Sequence, residues 1–160
     1  MSEAAMAGNP EAGWYGTLER CGLQPIENTL LQDVLSVKSA IYSVTGFEVA
    51  PTATIQIAHP HAIDVLDREW QRYASENSLF SKTGEFIIIP PVSGGSEVGW
   101  VRVRDLVGGQ LPSRVIAATG SAEFIAASLD GRRLCAVSVE DDEYWIVVRG
   151  LEPPGTSAPI

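Results

Sequence analysis

Apolar residues recur at spacings of three and four between residues 28 and 45, which predicts an amphipathic helix. The apolar positions are Leu30, Leu31, Val34, Leu35, Val37, Ile41 and Val44. Asn28 is suited to accept a hydrogen bond from an early backbone N–H, and Gly46 is suited to end the helix in a left-handed conformation. We therefore expect the first helix to occupy 28–45.

A short alternating segment and a second helix follow. Ile55 and Ile57 fall on one side of a predicted strand over 52–58. Pro60 is favourable at a first helical position, and a stripe of apolar residues after it predicts a helix that ends near Asn77. The stripe consists of Ile63, Leu66, Trp70 and Ala74.

After Gly84 the pattern changes to short apolar runs separated by turn residues, which predicts strands. The predicted strands are 85–90, 98–103, 113–118, 123–129, 132–139 and 144–149. Asp130 and Gly131 favour a tight turn in this C-terminal meander. The run from Tyr144 to Val148 is apolar on both faces, which predicts a central strand.

Two early helices and a late meander predict an α+β fold, with a largely antiparallel sheet and both helices packed on one face. A β-α-β crossover through Ile55 and the helix after Pro60 is an alternative for part of the chain. We expect flexible tails at 1–13 and 151–160, which lack an apolar period, and a single domain over 14–150.

Charge limits the classes of partner. The 160 residues include 20 Asp and Glu against 11 Lys and Arg, which gives a net charge of −9. Such a field repels nucleic acid phosphates and anionic lipid, so we expect neither nucleic acid nor membrane as a partner. A protein with a basic surface is the electrostatically favoured partner.

Cys21 and Cys135 are the only cysteines, too few for the dense disulfides of small secreted scaffolds. Cys135 falls on the same predicted strand face as Val137 and Val139, which predicts a small buried side chain. The N-terminal residues 1–13 have no apolar stretch long enough for a signal-peptide core, and no window of the sequence approaches the roughly 20 apolar residues of a membrane span. These features predict a reducing, cytoplasmic location.

His59 and His61 are the only histidines, and Asp64 follows them closely. On a continued strand both rings would project to one side, as paired metal ligands or an acid and base would. If Pro60 instead starts a helix, the rings diverge by about 200° around its axis. We expect this divergence, and hence a structural role without metal or cofactor.

Glycine-rich segments lack recognisable chemistry. The sequence around Ser96 fails the last position of a nucleophile elbow, and we interpret Gly94 and Gly95 as a turn between strands. Neither Gly108 and Gly109 nor Gly120 belongs to a phosphate-binding motif.

Two surface features are candidates for partner binding. Trp100, Arg102 and Arg104 alternate along one predicted strand, an arrangement suited to an acidic peptide or phosphate. The alternative is a solvated outer face, with the arginine stems covering Trp100.

The second feature is the acidic turn formed by Glu140, Asp141, Asp142 and Glu143, which could attract a basic partner. Its alternative is a solvated hairpin end.

The leading hypothesis is a non-enzymatic cytoplasmic protein-binding module that acts through an acidic or aromatic patch, as an inhibitor, an immunity-type protein or an accessory protein. A small metal-dependent or acid-base enzyme using His59, His61 and Asp64 is the alternative. A self-assembling structural subunit is a third hypothesis.

Overall fold

The chain has an α+β fold with an antiparallel sheet, as predicted, and the described residues contribute seven strands to this sheet. A computed structural model describes residues 13–26, 36–46 and 49–150. Its elements, in chain order, are α1 (Gly13–Arg20), β1 (Leu23–Ile26), α2 (Val37–Thr45), β2 (Ala53–Gln56), α3 (Ala62–Glu76), β3 (Glu85–Ile89), α4 (Gly95–Val98), β4 (Val101–Asp105), α5 (Leu111–Thr119), β5 (Phe124–Ala127), β6 (Arg133–Glu140) and β7 (Glu143–Gly150).

The strands lie in the order β1-β4-β3-β5-β6-β7-β2, and every neighbouring pair is antiparallel. The prediction of a central strand at 144–148 is wrong in position, because β7 is next to the edge. Its apolar residues are covered on both faces, which is why it has the sequence of a central strand. The strands that precede and follow α3 in the chain, β2 and β3, are not neighbours in the sheet, since β5, β6 and β7 lie between them.

Helices cover both faces of the sheet rather than one. α1, α3 and α5 pack on the first face, where Trp70 of α3 contacts Phe124 edge to face. α2 packs on the second face through Ala40 and Val44. A strand that is buried on both faces, such as β3, therefore shows no alternation of apolar and polar residues.

The boundaries of α2 differ from those predicted. Ser36 caps it by accepting a hydrogen bond from the backbone N–H of Ser39 at 3.1 Å. The predicted cap Asn28 and the apolar residues before Ser36 lie outside the described residues, as do 1–12 and 151–160 of the predicted tails. Gly46 ends α2 with φ of −63°, so the predicted left-handed ending is wrong. Gly13, which was predicted to belong to the N-terminal tail, begins α1.

The predicted strand at 113–118 is instead part of α5, and polar side chains from distant segments hold this helix. The backbone N–H of Ser113 donates to Asp67 of α3 at 2.9 Å, and the Ser113 hydroxyl donates to the other oxygen of that carboxylate. Arg114 binds Asp105 at 3.0 Å and the carbonyl oxygen of Cys21 at 2.6 Å. Asp67 thus supplies an N-terminal cap that α5 lacks locally.

Candidate functional site

The histidine pair lies in a turn ahead of α3 rather than inside the helix. α3 begins at Ala62, so Pro60 is not its first residue as predicted, and His61 is the N-cap. The ring centroids of His59 and His61 are 6.1 Å apart with planes at 59°. Both rings and Asp64 border a small cavity of about 160 Å³ beside Tyr144.

A hydrogen bond fixes the chemistry of His59. The backbone N–H of His61 donates to its Nδ1 at 2.9 Å. A neutral imidazole that accepts at Nδ1 carries its proton on Nε2, so this ring offers no second lone pair to a metal. Within residues 13–26, 36–46 and 49–150, no three His, Cys, Asp or Glu side chains form a group that could hold a metal ion.

Both cysteines are buried and free, in agreement with the small apolar role predicted for Cys135. Burial raises the pKa of Cys21 to about 11 and also raises the pKa of Cys135. A thiol with a raised pKa is protonated near neutral pH and is a poor nucleophile.

The strand face that carries Trp100, Arg102 and Arg104, here called the arginine face, has a carboxylate partner within the chain. Glu85 accepts from Arg102 at 2.9 Å and 2.5 Å through one oxygen, and from Arg104 at 2.8 Å through the other. Thr83 also donates to this carboxylate, at 3.1 Å. These hydrogen bonds, first from Arg102 and then from Arg104, lower the pKa of Glu85 to about 2. Trp100 packs into the core of the second face.

The acidic turn forms the tight connection between β6 and β7. Glu140 pairs with Glu143 in register, and Asp141 takes φ of 53°, which aspartate tolerates better than most residues. Glu143 accepts from Gln56 at 2.7 Å and from the Trp145 indole at 3.0 Å. These bonds fix the base of the hairpin.

The tip of the hairpin is free to interact with solvent or a partner. Asp141 and Asp142 are exposed, and their side chains make no hydrogen bond or ion pair with any residue that the structure describes. The backbone carbonyl of Asp142 accepts from the N–H of Ile57 at 2.9 Å, which anchors the turn to the segment after β2.

Sheet topology gathers further carboxylates at the same end of the molecule. We call this the acidic end and define it as residues 57–61, 90–100, 120–123 and 140–143, which connect or end the strands there. Its six acidic residues are Glu97, Glu123, Glu140, Asp141, Asp142 and Glu143. These four segments contain no Lys or Arg.

The opposite end of the sheet has the opposite balance. Its described connections and strand ends are 21–22, 49–52, 77–85, 105–110, 128–133 and 149–150. Among them are four basic residues, Lys82, Arg132, Arg133 and Arg149, against three acidic residues, Glu85, Asp105 and Asp130. The negative charge is therefore unevenly distributed along the strand direction.

A cleft of about 630 Å³ opens at the acidic end. Pairing of β3 with β5 stops at Ile89 and Ile125, and two prolines follow, which have no N–H to continue a ladder. The backbone beyond Pro90 then turns away and forms one wall, while α2 and 118–125 form others.

Glycine fixes the shape of this wall. A Cβ on Gly95 would lie 1.9 Å from the carbonyl oxygen of Pro90, so only glycine fits there. Gly94 has φ of 81° and precedes α4, the single helical turn that sequence reasoning interpreted as a simple turn between strands. The pairs Pro90-Pro91 and Gly94-Gly95 were the available sequence signal, but they do not reveal the residues that α2 and β5 contribute.

The chain yields no significant match to a protein-family model, a curated protein or a solved structure. Among the described helices, none has both the length and the apolar character that crossing a bilayer requires.

Proposed function

We propose that this protein is a cytoplasmic, non-enzymatic binding protein that recognises a basic surface of another protein through its acidic end. In this role it acts as an inhibitor, an immunity-type protein or an accessory protein. The observation that carries the proposal is the collection of six carboxylates, without Lys or Arg, in the four described segments of the acidic end.

Rigidity supports this assignment. The tip residues Asp141 and Asp142 are exposed, whereas the Ile57 N–H donates to the backbone carbonyl of Asp142 and holds the turn. Gln56 and Trp145 hold the neighbouring carboxylate of Glu143. Charges held in a fixed arrangement lose little conformational freedom on binding. They also steer encounter, so the association rate constant should depend on the hairpin more than the dissociation rate constant does.

The contacts of the arginine face also favour the acidic turn over the arginine face as the binding surface. Arg102 and Arg104 already bind the carboxylate of Glu85, and Trp100 is mostly buried. A partner's acidic group would have to compete with this internal carboxylate. The acidic tip has no such competitor among the described residues.

The test compares the wild-type protein with two double variants of equal net charge. Asp141→Asn with Asp142→Asn neutralises the hairpin tip, and Glu19→Gln with Glu76→Gln neutralises two exposed carboxylates toward the opposite end. Each tagged protein is purified with its partners from the native cells, and these are quantified by mass spectrometry.

We expect a basic partner to be recovered with the wild type and the opposite-end variant, and about tenfold less with the hairpin variant, a loss of about 1.4 kcal/mol. With the purified pair, the association rate constant should fall as NaCl rises. Equal recovery with all three proteins, or no recovered basic protein, would reject the proposal.

A further inference from the structure

The cleft at the acidic end combines an apolar interior with a polar rim. Its apolar lining includes Ile41 and Val44 of α2 together with Ile89 and Ile125 at the end of the β3–β5 pair. Hydroxyl groups from exposed serines line the same opening; these are Ser93, Ser96 and Ser121. A volume of about 630 Å³ lies within the range of about 300–1,000 Å³ typical of ligand sites.

Glu123 gives this opening a fixed negative charge. Its carboxylate accepts from the backbone N–H of Val139 at 3.1 Å, and its side chain is otherwise exposed at the cleft. Glu97 follows the lining residue Ser96 on α4. No Lys or Arg is present among the described lining residues, so the electrostatic field favours a cationic ligand and opposes an anionic one.

Strand β6 joins the cleft to the hairpin. Val137 and Ser138 of β6 line the cleft, and the same strand continues to Glu140 and the acidic tip. A partner that approaches the hairpin therefore also faces the cleft. This continuity favours an extended segment of a protein over an isolated small molecule.

We infer that the cleft receives a segment of the basic partner in which one aliphatic side chain is flanked by lysine or arginine residues. The aliphatic group occupies the space beside Ile89 and Ile125, and the flanking cations lie near Glu123 and Glu97. This inference rests on the proposed function, because it assigns part of the same binding surface to a particular feature of the partner.

The test uses three synthetic peptides as probes of the full-length protein. GKRLRKG carries both features, GKRSRKG lacks the aliphatic side chain, and GDELEDG retains the leucine with reversed charge. Affinity is measured by fluorescence anisotropy, and the site is located from amide shifts of the ¹⁵N-labelled protein. We expect GKRLRKG to bind with shifts concentrated in 89–96 and 121–125, and about tenfold more tightly than GKRSRKG.

Variants of the protein separate the role of the Glu123 charge from the role of the cleft volume. Glu123→Gln keeps an acceptor for the Val139 N–H and removes the charge, so affinity for GKRLRKG should fall about threefold to tenfold. Ser96→Trp places a large side chain at an exposed position of the lining and should abolish binding. Glu19→Gln with Glu76→Gln should leave affinity unchanged, and thermal unfolding confirms that each variant is folded.

The outcomes distinguish this inference from the proposed function. If GKRLRKG and GKRSRKG bind equally, with shifts only around Asp141 and Asp142 and no effect of Ser96→Trp, the cleft inference is overturned and the acidic end is retained. Tight binding of GDELEDG at the cleft also overturns the inference. So does the absence of saturable GKRLRKG binding there, whereas the proposed function is judged by recovery of the partner.

Discussion

At the scale of single residues, Glu85 shows how a buried carboxylate organises the second face of the sheet. The residue pairs with Arg104 across the β3–β4 ladder and also reaches Arg102. Both arginines are recognisable in the sequence as candidates, whereas Glu85 is not, because 17 and 19 residues separate it from them. Strand register, which a single sequence specifies weakly, was needed to bring these side chains together.

The low pKa of Glu85 predicts a specific dependence of stability on pH. Its pKa of about 2 in the folded protein is below its ordinary value of 4.5. A carboxyl group with a lowered folded pKa stabilises the fold above its unfolded pKa, and this contribution is lost as pH falls toward the folded pKa. The loss should therefore occur between about pH 4.5 and pH 2.

Urea unfolding of the wild type and of Glu85→Gln, in steps from about pH 6 to pH 2, checks this prediction. The variant should be less stable at pH 6, since the charged hydrogen bonds are weakened, and its stability should change less across the acidic window. Parallel pH profiles for the two proteins would contradict the assigned role.

At the scale of elements, local patterns predicted those parts of the chain whose structure depends on local signals. The stripe of α3, the ending near Asn77 and the hairpin between β6 and β7 are all confirmed. In each of them, the residues that specify the helix period or the turn lie within a few positions of one another in the sequence. The fold class follows from these parts.

Elements that depend on distant partners were predicted wrongly or missed. The apolar residues Val115 and Ile116 of α5 are β-branched and occur in a short run, which favours a strand on local grounds. Asp67 of α3 changes the outcome by capping the helix from another part of the chain. α1 contains Gly13 and Gly16, which weaken a helical signal.

The cap across α3 and α5 predicts an unequal cost for two aspartate substitutions on one helix. Asp67→Ala removes the acceptor for both Ser113 groups and should lower the free energy of unfolding by about 2 kcal/mol. Asp64→Ala, in the exposed first turn of α3, loses only a favourable interaction with the helix dipole and should cost at most about 1 kcal/mol. Chemical denaturation of both variants provides the comparison, and equal losses would argue against the cap.

At the scale of the whole molecule, the uneven distribution of charge matters more than its total. The net charge of −9 predicts repulsion from any anionic surface. The topology places β5, β6 and β7 so that their acidic connections meet at one end, which composition alone does not reveal. The acidic turn was recognisable in the sequence, whereas the contribution of Glu97 and Glu123 was not.

Anion-exchange chromatography gives a measurement that depends on this distribution. The hairpin variant is Asp141→Asn with Asp142→Asn, and the opposite-end variant is Glu19→Gln with Glu76→Gln. Each removes two negative charges, so both change the net charge from −9 to −7. The hairpin variant should elute at lower salt than the opposite-end variant, because a charged resin binds the most negative region first. Identical elution would indicate that the acidic end does not dominate the surface field.

The two edge strands have sheet partners that come late in the chain: Leu23 of β1 is opposite Asp105, and Ala53 of β2 is opposite Ile146. During synthesis from the N-terminus, the ribosome releases these strands long before their partners, and such non-local pairing is slow. β7 is the last of the described strands to emerge; it pairs with β2 and completes the acidic hairpin. A nascent chain therefore completes its acidic end at the same step that completes its sheet, so a prematurely terminated product lacks both.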